Sequence, residues 1–100
     1  MLPLDHIVHE RTLIGAIDSY MGGLVHVRPH LAGDYREQLE ALADAALDAG
    51  FANAIEAPGA DWLRAYLHRA PNPEHARAAI NDFYRWAVAQ SFVASHPLDD

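Results

Sequence analysis

Along almost the whole chain, apolar residues recur at steps of three and four, and only a few prolines and glycines interrupt them. That period is the face of an α-helix and not the alternation of a strand. Nineteen alanines and few β-branched residues agree with it, because alanine is the strongest intrinsic helix former. The spacing therefore predicts an all-α fold with short loops and no internal repeat.

The interruptions divide the chain into four helices. The first begins at about His6 or Thr12 and reaches Met21, with Leu13, Ile14, Ile17, Met21 and Leu24 on one apolar side. Gly22-Gly23 is expected to end it and to leave Leu24 to Arg28 as a connector. Pro29 suits the first turn of a second helix, where its missing N–H costs nothing, and Gly50 suits its end. Leu31, Tyr35, Leu39, Leu42 and Ala46 form its inner stripe, with Leu47 alongside. Glu37, Glu40, Asp44 and Asp48 form an acidic row, read as a solvated face, and Arg36 can pair with Glu40 one turn on. After a loop from Phe51 to Gly59, a short third helix covers about Ala60 to Arg69, with Leu63, Tyr66 and Leu67 inward and Trp62 flanking. Pro71-Asn72-Pro73 breaks the pattern, with Asn72 as N-cap and Glu74 near the positive helix end. The fourth helix is expected to reach about Phe92, with Ala76, Ala79, Ile80, Phe83, Trp86, Ala87 and Gln90 inside. The core should centre on Ile17, Leu39, Leu42, Leu63, Leu67, Ile80, Phe83 and Ala87.

Composition narrows what such a domain does. One hundred residues give one domain of modest core. The absence of cysteine removes disulfides, thiolate metal sites and a cysteine nucleophile. No apolar run is long enough to span a membrane and no signal-peptide pattern opens the chain, so a cytoplasmic protein without a membrane partner is expected. All seven basic residues are arginine, and a net charge of −7 argues against a generic nucleic-acid binder. His6 and His9 with Glu10, and His26 with His30, have some metal-ligand character, but nothing supplies a third and fourth ligand, so neither a metal nor a cofactor is expected. Gly22-Gly23 lacks a phosphate-loop context, and Ser19, Ser91 and Ser95 lack triad partners. Tyr20, Tyr35, Tyr66 and Tyr84 lie in or beside apolar stripes and read as core residues.

The last thirty residues carry a resemblance. The stretch NPEHARAAINDFYRWAVAQSFVASHPL is similar to the closing helix of the N-terminal core-binding (SAM-like) domain of phage integrases and other tyrosine recombinases. Phe83-Tyr84-Arg85-Trp86-Ala87 fills the family's aromatic segment, and His96-Pro97 stands where an Asn-Pro linker is usual. Upstream, LIGAIDSYMGGL, RPHLAGDYREQLEALADAAL and PGADWLRAYLHR resemble the first three helices, so the likeness covers residues 12–97. Leu31 replaces a common Thr, Asn81-Asp82 stands where an Arg is frequent, and the family's lysines are absent.

The resemblance implies an orthogonal four-helix SAM-like bundle at 12–97, an N-terminal arm or helix start at 1–11, and at 98–100 the start of a linker to a catalytic domain outside this chain. It implies the DNA-binding lobe of a clamp closed on duplex DNA at a recombination site, with other recombinase protomers as further partners. This chain would contribute no catalysis; strand breakage and rejoining would belong to the parent. Candidate DNA contacts are Arg28, His30 and Arg36 around the start of the second helix, whose positive end can hold a phosphate. Arg77, Asn81 and Arg85 follow at i, i+4 and i+8 on the fourth, residue types that grip phosphates and read base edges. Read from its residues alone, Arg85 could equally pair with Asp82 or Asp61. The competing expectation is a small acidic helical module that holds a basic protein through Glu37, Glu40, Asp44 and Asp48.

Overall fold

A computed structural model describes residues 12–50, 59–93 and 96–98. Over them the chain forms four α-helices: α1 Leu13–Val27, α2 Pro29–Ala49, α3 Ala60–Arg69 and α4 Pro73–Ala89. No strand occurs among the described residues, and the fold is an all-α four-helix bundle. The expected arm at 1–11, with His6, His9 and Glu10, and the loop at 51–58 lie outside the described residues.

Each helix boundary has a local cause. Thr12 caps α1, its Oγ1 accepting the Gly15 N–H at 3.0 Å. The expected stop at Gly22-Gly23 does not occur: α1 runs on through both glycines to Val27, and neither takes a positive φ. Two helical glycines together cost about 2 kcal/mol relative to alanine. Burying Leu24 offsets this with about 1.5–3 kcal/mol, and Leu24 is a core residue and not part of a connector. What ends α1 is Pro29, which drives the preceding Arg28 out of the helical region to φ −137°, ψ 69°. Pro29 then opens α2, and Gly50 closes it at φ 85° with its N–H on the Ala46 and Leu47 carbonyls. Gly59 precedes α3. Asn72 occupies the cap position of α4 but its side chain makes no cap bond; Pro73 and Glu74 fill the first turn as expected.

The end of α4 departs from the sequence reading. The helix stops at Ala89, three residues before Phe92, and Gln90 is exposed instead of lining the core. Ser91 takes φ 64°, the Phe92 N–H reaches the Ala87 carbonyl at 2.9 Å and the Ser91 N–H reaches Val88 at 3.0 Å. This pair of bonds is a Schellman motif, and Phe92 completes it by packing edge-on against Trp86 with centroids 5.4 Å apart.

The expected core residues are all buried, from Ile17 through Ala87. α4 is the central element, packing against α1, α2 and α3, while α1 and α2 pair as neighbours. Tyr84 and Phe83 are the largest fully buried side chains. Phe83 meets the Tyr20 ring edge-on at 5.6 Å and stacks on Trp86 at 6.1 Å, so half-buried Trp86 is pinned among Tyr20, Phe83 and Phe92. Two residues read as inward are not: Ile14 is 44% and Leu47 60% exposed. Each directly follows or precedes a core position, and one residue turns about 100° around the helix, enough to leave the buried sector. Leu31 and Tyr35 are half-buried, whereas Ala32 and Gln38 are buried in their stead. Leu98, expected to be free linker, packs against the core.

Candidate nucleic-acid interface

The six candidate contacts separate into three places. Arg28, the hinge between α1 and α2, and Arg85, near the end of α4, line one open groove of about 420 Å³ with Tyr20, Leu24, Val27 and Trp86. Both guanidinium side chains belong to exposed residues, over a floor that is largely apolar. Within it runs a short polar relay. Tyr20 Oη donates to Asp82 Oδ2 at 2.6 Å, and Asp82 Oδ1 lies 3.7 Å from Arg85 Nη1. Asp82, and not Asp61, is therefore the local partner of Arg85; Asp61 pairs with Arg64 at 3.7 Å.

That relay settles what Tyr20 does. Burial, and then the bond to Asp82 and its negative charge, push the phenol well above the ordinary tyrosine range, against a smaller lowering by Arg28. Burial raises Tyr84 and Tyr66 as well, the latter opposed by Arg69. Tyr20, Tyr66 and Tyr84 are packing residues, and Tyr35 is half-buried beside them.

Arg77 stands elsewhere, at the corner between α3 and the start of α4. It lines a cleft of about 380 Å³ with Arg64, Leu67, His68, Pro73 and Leu98. Arg64 and His68 were not singled out from the sequence. Their i, i+4 spacing on α3 was visible, but nothing in the chain said that this side of α3 faces the start of α4. Asn81 lies between Arg77 and Arg85 on α4, half-buried, and its carbonyl faces His96 Nε2 at 3.2 Å.

His30 and Arg36 are both exposed on α2. His30 falls on the same outward line as Glu37, because seven residues rotate a helix to within about 20° of two full turns. It therefore heads the acidic row of Glu37, Glu40, Asp44 and Asp48, all exposed. No ion pair joins Arg36 to Glu40 among the described residues. An unforeseen pair, His75 Nδ1 and Asp34 at 3.2 Å, links α2 to the first turn of α4. No group of three metal-binding side chains occurs among the described residues, and no described helix is long and apolar enough to cross a membrane.

Set beside protein-family models, curated proteins and solved structures, the chain matches none of them.

Proposed function

We propose that this chain is the DNA-binding core-binding lobe of a tyrosine recombinase, contributing duplex contact while strand chemistry belongs to a catalytic domain elsewhere in the parent. The observation that carries the reading is the outward line of α4. Arg77 and Arg85 stand eight residues apart on one helix, about 12 Å along its axis. That span is close to the major-groove width of about 12 Å, which supports two exposed guanidiniums on opposite phosphate walls, with half-buried Asn81 between them. Arg28, in the same groove as Arg85, extends the cationic line to the α1–α2 corner. The resemblance of residues 12–97 to the recombinase domain points the same way. A cytoplasmic location goes with this role.

The affinity of the lobe alone is low. Four phosphate contacts, by Arg28, Arg36, Arg77 and Arg85, give a slope of log affinity against log salt of roughly −3 to −4. With a net charge of −7 opposing approach, binding falls in the non-specific range of about 10⁻⁴ to 10⁻⁶ M. An NMR titration with a short duplex at low salt tests this. Shifts centred on Arg28, Arg36, Arg77, Asn81 and Arg85 are the expected result. Shifts at Glu37, Glu40 and Asp44, or none at millimolar duplex, overturn it.

The second reading rests on one observation. Glu37, Glu40, Asp44 and Asp48 are all exposed along α2, which suits a module holding a basic protein partner. In the same spectra, a basic peptide in place of the duplex would then shift the α2 row and leave Arg77 and Arg85 still.

A further inference from the structure

The chain beyond α4 turns back on that helix through a single imidazole. His96 Nε2 lies 3.2 Å from the Asn81 carbonyl oxygen. The Leu98 backbone N–H points at His96 Nδ1 from 3.1 Å. The ring tilts against buried Tyr84 with centroids 5.8 Å apart. A carbonyl can only accept and a backbone N–H can only donate, so the two bonds assign the ring completely. Nε2 carries the proton and donates; Nδ1 offers its lone pair. Only the neutral Nε2–H tautomer makes both bonds. An imidazolium has donors at both nitrogens and would set an N–H against the N–H of Leu98.

We propose that His96-Pro97-Leu98 is a proton-operated latch, closed while His96 is neutral and released when Nδ1 takes up a proton. In the closed latch Leu98 forms part of the wall of the cleft between α3 and the start of α4. Among the described residues, the charged or titratable groups lining that cleft are Arg64 and His68 from α3 and Arg77 from α4, and none is acidic. On the other side the ring faces Tyr84, whose phenol burial keeps neutral. A proton on the latched ring removes the acceptor that holds Leu98. Histidine is the one side chain whose ordinary titration falls between about pH 5 and pH 8. Opening it frees Leu98 from the cleft lined by Arg77 and changes the direction in which the chain leaves α4. The inference stands on the local geometry and is independent of DNA binding.

The geometry also supplies the control. A side-chain acceptor bonded to the backbone N–H two residues on is the arrangement that Asn and Asp make in Asx turns. Nδ1 occupies the place of an Asn amide oxygen, so His96→Asn keeps an acceptor for Leu98 that does not titrate. The test follows the Leu98 amide and the His96 ring by NMR in the full chain from about pH 8 to about pH 5. In the wild-type chain the Leu98 amide should move in step with the His96 ring, and its protection from exchange should fall by about five- to tenfold. In His96→Asn the step should vanish, and in His68→Gln it should persist, because His68 lines the cleft without holding the turn. A Leu98 amide that stays still while the His96 ring titrates overturns the proposal. So does a step that survives in His96→Asn or disappears in His68→Gln. The wild-type titration decides the matter even if a variant fails to fold.

Discussion

Ser91 closes α4 in a conformation that its own side chain opposes. A left-handed φ of 64° brings Cβ towards the following carbonyl, which costs a non-glycine residue roughly 1–2 kcal/mol. The Schellman bonds of Ser91 and Phe92 and the contact of Phe92 with Trp86 hold it there. Ser91→Gly should therefore raise stability by about 1 kcal/mol, since the strain disappears and both bonds are backbone. Urea unfolding should show a higher midpoint with an unchanged slope. This residue also explains why the end of α4 was misplaced. Seen as letters, Ala89-Gln90-Ser91-Phe92 continues the helical period, and the usual stop signal, glycine, is missing. The Tyr20–Asp82 bond was hidden for a different reason: it joins residues 62 positions apart. Helical periodicity placed Tyr20 near the core and Asp82 within reach of Arg85 but could not register one helix against the other.

At the scale of elements, α2 and α3 were legible to the residue because their punctuation is unambiguous: Pro29 and Gly50 for one, Gly59 and Pro71 for the other. α1 was not, because glycine reads as a terminator when it only lowers helix propensity. Whether a helix survives two glycines depends on what the next turn buries, and the value of Leu24 is a property of α4 lying opposite. The glycines themselves have no steric warrant. A methyl group built on Gly22 or Gly23 meets nothing within 4 Å. Gly22→Ala and Gly23→Ala should each stabilise the fold, by about 0.5–1 kcal/mol, with increased helical circular dichroism and a higher melting temperature. A loss of stability in either would mean that α1 does not pass through this point as a regular helix. The candidate site was half legible on the same terms. The line of Arg77, Asn81 and Arg85 follows from one helix's own period. The convergence of Arg28 with Arg85, and of Arg64 and His68 with Arg77, needs two helices brought together.

Across the whole molecule, the tyrosines set the alkaline limit. Tyr20 and Tyr84 are nearly or fully buried and keep their protons well above the ordinary tyrosine range of about pH 10. Below that pH both the folded and unfolded chains hold the phenolic protons, and stability does not depend on them. Above it the unfolded chain releases them while the folded chain does not. The unfolded state then binds fewer protons, so stability falls as pH rises, by about 1.4 kcal/mol per pH unit for each such phenol. Denaturant midpoints measured from about pH 9 to about pH 11 should drop steeply, and Tyr84→Phe should remove its share of the slope. The position of α4 at the centre of the bundle has another consequence, one of timing. A ribosome delivers α1 and α2 first, at about 5–20 residues per second, and these two can pair as soon as they emerge. Their apolar faces, including Leu13, Ile17, Leu39 and Leu42, nevertheless wait for Phe83 and Tyr84, which belong to α4, about 40 residues further along the chain. For several seconds of every synthesis the nascent chain carries an open hydrophobic seam, which closes only once α4 has cleared the exit tunnel.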